Sequence, residues 1–234
     1  MKQYEKSIYS QWGEDGVLEK IFRRIGFNNR VCLDIGAWDG IHFSNTLNLA
    51  EKHGLKRILC EADETRTLEA TNNFPDSQVF GRCENIDSIL AVCKAPIDID
   101  LLCIDVDGDD YYLWQDMVKY KPRVIVIEYN QTVPPDVSVV QERGGSFGAS
   151  SEVLCNLAKE KGYLLVHATV TNLIFLLFDL AYHFPHPVLI PTDWVVYTLV
   201  GYNGKRYQVN QFAHNDNQGG RHEKLISDVK YTEI

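Results

Sequence analysis

The chain has 234 residues, a formal net charge of −9, and a composition that is 45% hydrophobic and 11% aromatic. That length and balance suit one large domain with a full core and exclude a disordered or low-complexity chain. The acidic excess excludes a general binder of nucleic-acid polymers, which needs Lys and Arg against the phosphates, and six cysteines without a C-x-x-C pair read as free thiols rather than a disulfide framework.

Taken in order, the chain opens on the polar Met1-Lys2-Gln3-Tyr4-Glu5-Lys6, which leads into no secretory apolar region. No run approaches the ~20 apolar residues of a membrane span. A cytoplasmic protein without membrane insertion is therefore expected. Val17, Leu18, Ile21, Phe22 and Ile25 share one helical face that stops at Gly26. Before it, Ser10-Gln11-Trp12-Gly13-Glu14-Asp15 reads as a helix cap with acids at the positive end of the dipole.

The next stretch, Val31-Cys32-Leu33-Asp34-Ile35-Gly36-Ala37-Trp38-Asp39-Gly40, is a buried strand feeding a Gly-rich corner. Asp34 inside an apolar run requires a partner, and Gly36 and Gly40 permit close backbone approach. A helix over 43–53 closed by Gly54 leads to a strand over 57–61. Its terminal Glu61 stands 25 positions after Gly36, close to the spacing at which an acid meets a ribose in nucleotide-binding βαβ units.

A helix over 65–73, a weak strand over 78–81, Glu84-Asn85 and a helical turn over 86–92 follow. A strand over 97–104 then runs into Asp105-Val106-Asp107-Gly108-Asp109-Asp110, whose glycine stands too early for a calcium loop. A helix through Tyr112, Leu113, Met117 and Tyr120 precedes a strand over 124–127 that ends in Glu128-Tyr129-Asn130. Residues 132–148 form a long irregular loop of the kind that carries function. A helix over 150–161 capped by Gly162 leads into strands 163–168 and 172–178, so close together that they make a hairpin and set the last strand antiparallel. A further hairpin is expected around Asn203-Gly204, and the tail from His214 is polar.

Alternating strands and helices up to Lys161 specify a parallel α/β sheet, which binds ligands at the carboxyl ends of its strands. Asp34, Glu61, Asp105 and Glu128 all fall at those ends, although clustered carboxylates repel one another. A G-x-G-x-x-G run and a G-K-[ST] loop are both missing, which points away from NAD and ATP and toward a cationic, phosphate-free nucleoside.

Asp34-x-Gly36-Ala37-x-Asp39-Gly40, Glu61 on the next strand and the final antiparallel hairpin resemble class I S-adenosylmethionine-dependent methyltransferases. More narrowly, Ser10-Gln11-x-Gly13-Glu14-Asp15, Ser44-Asn45-Thr46, Ile104-Asp105-Val106-Asp107-Gly108 and Gly148-Ala149-Ser150 look like the FkbM type. The chain departs from it at Asp107-Gly108-Asp109, where many members carry Glu-Gly and an acid. The resemblance implies a Rossmann-like, doubly wound, seven-stranded sheet of order 3-2-1-4-5-7-6 with its last strand antiparallel, in three α/β/α layers. It divides the chain into a methyltransferase domain over 1–180 and an extension over 181–234 packed on that domain.

The implied reaction moves a methyl group to a hydroxyl of a small molecule, a sugar or nucleotide-sugar. The alternatives are transfer to nitrogen, a phosphoramidate nitrogen included, and a non-catalytic cofactor binder of the same fold; a homo-oligomer is compatible with either. Gly36 would approach the methionine part of S-adenosylmethionine, with Asp34 ordering nearby donors. Glu61 would take the ribose hydroxyls, Asn85 or Glu84 would lie near the adenine, Asp105 would face the ammonium, and Gln11 and Ser44 would close over it. Helix capping is the equal alternative for Ser44-Asn45-Thr46.

Methyl transfer is an in-line displacement for which alignment can supply on the order of 7–11 kcal/mol. Two routes remove the proton of an alcohol. His42 or an acid from Asp107, Asp109 or Glu128 acts as general base, or Asp107, Glu128 and Asn130 gather Mg²⁺ or a similar hard cation. The acceptor site would draw on the 132–148 loop, Tyr111, Tyr112 and part of the tail.

Overall fold

A computed structural model describes residues 1–182, 184, 187–192, 198–200 and 206–208. Apolar runs form β1 (Val31–Ile35), β2 (Lys56–Cys60), β3 (Gln78–Phe80), β4 (Leu101–Ile104) and β5 (Val124–Glu128). Between and before them lie α1 (Glu14–Ile25), α2 (Leu47–His53), α3 (Glu64–Asn73), α4 (Ile86–Val92) and α5 (Asp110–Asp116). After β5 come α6 (Ser151–Lys161), β6 (Tyr163–Ala168), β7 (Asn172–Leu177) and the short α7 (Phe178–Ala181).

These strands make one sheet of order β3-β2-β1-β4-β5-β7-β6. Strands β1 to β5 run parallel, and β7 is antiparallel to both of its neighbours. This is the Rossmann-like methyltransferase order expected from the sequence. Two further strands, β8 (Thr198–Val200) and β9 (Arg206–Gln208), pair antiparallel. The expected turn at Asn203-Gly204 and most of the 181–234 extension lie outside the described residues.

The pleat sorts each strand onto two faces. Leu33, Ile35, Leu102, Ile104, Ile125 and Ile127 join a core with Leu90, Trp114 and Leu157 of α4, α5 and α6. Cys32, Leu101, Cys103, Val124 and Val126 join the opposite core with Val17, Leu18, Ile21 and Phe22 of α1 and Leu49 of α2. Helices therefore cover both faces, and β4 is buried throughout.

Two boundaries move for one physical reason: a carboxylate gathers consecutive backbone N–H groups. Asp100 accepts from Asn28, Asn29 and Arg30 and pairs with Arg123, so the strand expected over 97–104 keeps only its last four residues. Asp87 accepts from Val118, Lys119 and Tyr120, which ends α5 at Asp116 rather than near Tyr120. The helix expected from residue 43 begins at Leu47, because Phe43 takes a left-handed conformation with φ 51°.

Candidate functional site

The corner after β1 is closed from below. Gly36 has φ 82°, and a Cβ there would lie 1.6 Å from the Asp105 carbonyl oxygen, so the neighbouring strand end alone demands glycine. The N–H groups of Gly36 and Ala37 donate to the Cys60 carbonyl at 2.9 and 3.0 Å. Buried Asp34 accepts from the Thr46 hydroxyl at 2.6 Å and the Ser44 hydroxyl at 3.3 Å, and it lies 3.5 Å from Arg57. Arg57 in turn donates to the Gly40 carbonyl at 2.8 Å and to both hydroxyls at 3.0 Å.

Asp34 and Ser44 thus sit under the corner rather than on the cavity wall. Ser44 Oγ also accepts from the Leu47 N–H at 3.2 Å, a cap-like bond at the start of α2. Arg57 was not singled out in the sequence. A lone Arg in the apolar run Arg57-Ile58-Leu59-Cys60, beside a strand carrying a lone Asp, was the available signal.

The N-terminal acids correct the expectation that they cap α1. That helix has Gly13 at its N-cap with no side-chain bond. Asp15 Oδ2 instead accepts from Ile8, Tyr9 and Ser10 N–H at 2.8, 2.7 and 2.8 Å. Glu14 accepts from Trp12 N–H at 2.9 Å and from Asn172 Nδ2 at 3.2 Å in β7. These bonds clamp the 8–12 segment across the strand ends and bring Gln11 and Trp12 onto the wall of a cavity of about 910 Å³.

That cavity lies at the carboxyl ends of β1, β2, β4 and β5, where Gly36, Glu61, Asp105 and Glu128 line it. Glu61 is held by both oxygens: Oε2 accepts from Trp38 N–H and Oε1 from Asp63 N–H, each at 2.9 Å. Each oxygen keeps lone pairs for a further donor. Asn85 spends its side chain as the N-cap of α4, accepting from Ser88 N–H at 2.8 Å, and Cys83 and Glu84 line the cavity there.

On the other side, carboxylate oxygens of Asp105, Asp107 and Glu128 lie within 4.8 Å of one another. Burial pushes Asp105 well above the usual carboxylate range, and the neighbouring Glu128 and Asp110 push it further. Glu128 is raised likewise by burial and then by Asp110 and Asp107. Burial also raises Asp110 to about 6, against the backbone N–H groups of Val106 and Gly108 that it accepts. Asp107 holds a left-handed φ of 56°, as do Trp38 and Phe43 at 51°, and all three line the cavity. Such strain in non-glycine residues collects at functional sites.

The remaining expected site residues separate. His42 lines the cavity between the rings of Trp38 and Phe43, at 4.9 and 3.9 Å. Asn130 is not on the wall: its Nδ2 donates to the Phe147 carbonyl at 2.8 Å and its Oδ1 accepts from Thr132 N–H at 2.9 Å, which anchors the 132–148 loop. Tyr112 lines the cavity and donates to the Gln141 carbonyl at 2.6 Å, while Tyr111 belongs to the core. Asp109 accepts from Gly144 N–H at 2.8 Å and Gln141 Nε2 at 3.1 Å, latching the loop beside the acids.

No family model matches the chain, and no curated protein matches it in sequence. Solved structures do resemble it. The N-terminal domain of EvdMO1, with S-adenosylhomocysteine bound, is 14% identical with a TM-score of 0.46, over 69% of this chain and 79% of that one. CalS10, an amino pentose methyltransferase from Micromonospora echinaspora, was solved with S-adenosylmethionine; it is 11% identical with a TM-score of 0.46, over 70% and 89% of the two chains. A TehB-like S-adenosylmethionine-dependent methyltransferase from Corynebacterium glutamicum is 15% identical with a TM-score of 0.45, over 73% and 89%. What the chain's own sheet order establishes is the Rossmann-like methyltransferase fold.

Proposed function

We propose that this chain is an S-adenosylmethionine-dependent methyltransferase of the FkbM type, acting in the cytoplasm on a hydroxyl of a small molecule, a sugar or nucleotide-sugar. One observation carries the reading: Glu61 is fixed through both oxygens at the end of β2, one strand away from the glycine corner of β1, in a wall that holds acids and no phosphate loop. A preorganised carboxylate of this kind accepts two vicinal hydroxyls without reorganising.

Asp105 is a half-buried carboxyl with no ion pair among the described residues, which suits a cationic ammonium arriving beside it. When bound, S-adenosylmethionine supplies an electrophilic methyl on a sulfonium. Glu61 holds the nucleoside, Asp105 the amino-acid end, and Gln11 and Trp12 cover the cavity. Glu128, raised above the usual carboxylate range by burial and by Asp110 and Asp107, takes the acceptor proton as general base, with Asp107 and His42 lining the same space.

The convergence of Asp105, Asp107 and Glu128 supports a second version of the proton step, in which these oxygens hold a hard cation such as Mg²⁺. Asn130, tied to Phe147 and Thr132, drops out of that set. Calorimetric titration with S-adenosylmethionine and S-adenosylhomocysteine, with and without Mg²⁺ and beside NAD, tests the proposal. Saturable binding of the methyl donor and none of NAD is the expected outcome, and no binding of either sulfur compound ends the reading. Binding unaffected by Mg²⁺ or chelator, followed by chelator-insensitive methyl transfer, leaves the general-base version.

A further inference from the structure

Glu61 is held by two different segments. Its Oε2 accepts from Trp38 N–H in the corner after β1, and its Oε1 from Asp63 N–H at the start of α3, each at 2.9 Å. The carboxylate keeps its aim only while those two N–H groups keep their separation. Asp63 is the N-cap of α3, and its side chain accepts from Arg66 N–H at 3.0 Å, so Arg66 is fixed in the first turn of that helix.

The Arg66 side chain closes the frame. Its guanidinium carbon lies 3.4 Å from the centroid of the Trp38 ring, and Arg66 has no ion pair among the described residues. Trp offers a cation the best face of the aromatic side chains. Trp38 is also a residue in need of a hold, because its φ of 51° lies in the left-handed region that a bulky side chain seldom occupies. At the far end of α3, Asn73 Nδ2 donates to the Asp39 carbonyl at 3.0 Å, so the helix grips the corner at both ends. Trp38, Glu61 and Arg66 all line the cavity.

We infer that Arg66 is a positioning residue for nucleoside recognition: by stacking on Trp38 it sets the spacing of the two N–H groups that aim Glu61 at the ribose hydroxyls. The assignment rests on the methyl-transfer reading, which puts a ribose there. A preorganised acceptor binds its donors without reorganising, and that advantage goes when its supports move. Because Arg66 acts through Glu61, its effect is confined to the hydroxyls. Loss of a merely structural residue would weaken every ligand of the cavity alike. Direct contact between Arg66 and the hydroxyls would leave the ligand-free chain unaltered by its removal.

The test uses the full chain, native and as Arg66→Met, which keeps the length and removes the cation, and as Arg66→Lys, which keeps a cation without the planar fork. Two quantities are measured: amide hydrogen exchange of the ligand-free chain, and calorimetric affinity for S-adenosylhomocysteine and its 2′,3′-dideoxy analogue. The native chain should bind the dideoxy analogue about a hundredfold more weakly than the parent, about tenfold for each hydrogen bond to the carboxylate. In Arg66→Met that ratio should shrink to about tenfold or less through weaker binding of the parent, while affinity for the analogue stays within about twofold of native. Exchange at Trp38 and Asp63 should quicken by at least about threefold in the same variant. Arg66→Lys should fall between the two on both readouts.

A ratio that keeps its native value in Arg66→Met overturns the assignment, as does equal weakening of both compounds or unchanged exchange at Trp38 and Asp63. Arg66→Lys no better than Arg66→Met also overturns it, since the cation would then not be what holds the ring. Should Arg66→Met not fold, Arg66→Gln takes its place under the same outcomes. A native chain that binds the parent without discriminating against the dideoxy analogue overturns the assignment and leaves methyl transfer standing without a ribose on Glu61. Failure of the native chain to bind S-adenosylhomocysteine overturns both.

Discussion

Arg57 is the residue on which the glycine corner after β1 depends. Its guanidinium lies 4.6 Å over the Phe74 ring and joins Asp34, Thr46, Ser44 and the Gly40 carbonyl, so both ends of the 36–46 turn meet at one buried cation. Breaking a buried pair from one side leaves the other charge uncompensated, at about 3–5 kcal/mol. Arg57→Met should therefore cost about that much by chemical denaturation, whereas Asp34→Asn in the Arg57→Met background should cost little more. A strictly additive double mutant would show that the two do not act as a pair. Lysine at position 57 lacks the planar fork that reaches four partners and should recover only part of the loss.

At the scale of elements, the sheet was legible because its signals are local. β1, β4 and β5 are apolar runs ended by acids, α6 is bracketed by Ser150 and Gly162, and the short break after β6 forces a hairpin. The site was legible only where the backbone delivers the side chain, as at Glu61, Asp105 and Glu128, each at a strand end. It was illegible where a carboxylate reaches along the chain to gather backbone donors, since nothing in the residue type says whether an acid caps its own helix or clamps a distant segment. Asp15 shows the difference. Its carboxylate accepts three consecutive N–H groups, from Ile8 to Ser10, in front of the helix it opens. Asp15→Asn removes the charge and half of the acceptor capacity, and should cost about 1–3 kcal/mol. Amide hydrogen exchange should quicken at residues 8–10 well before the core amides, and donor affinity should weaken because Gln11 and Trp12 ride on that segment; unchanged exchange there would show that the clamp contributes nothing.

Asp105, Asp107, Asp110 and Glu128 gather at the carboxyl ends of β4 and β5, and that arrangement sets how stability follows pH. A carboxyl raised above its ordinary value binds protons more tightly in the folded state. Its contribution is fully present below the unfolded value and is lost as pH rises through the folded one. Asp110 moves from 3.8 to about 6, so its loss falls between about pH 4 and 6; Asp105 and Glu128, raised by burial and by the neighbouring acids, add losses of the same sign. The ligand-free chain should melt at progressively lower temperature across this range relative to an Asp110→Asn variant, whose slope should be shallower. A cation between these carboxylates reverses the trend, because it favours their charged forms. Stabilisation by S-adenosylmethionine should therefore grow from pH 5 to pH 8, and by more than stabilisation by S-adenosylhomocysteine, which lacks the sulfonium charge. Calorimetric melting at matched ionic strength measures both slopes. Parallel slopes for the two compounds would mean that the sulfonium lies outside the field of Asp105, Asp107 and Glu128, and the general base would then have to be sought at His42, which lines the same cavity.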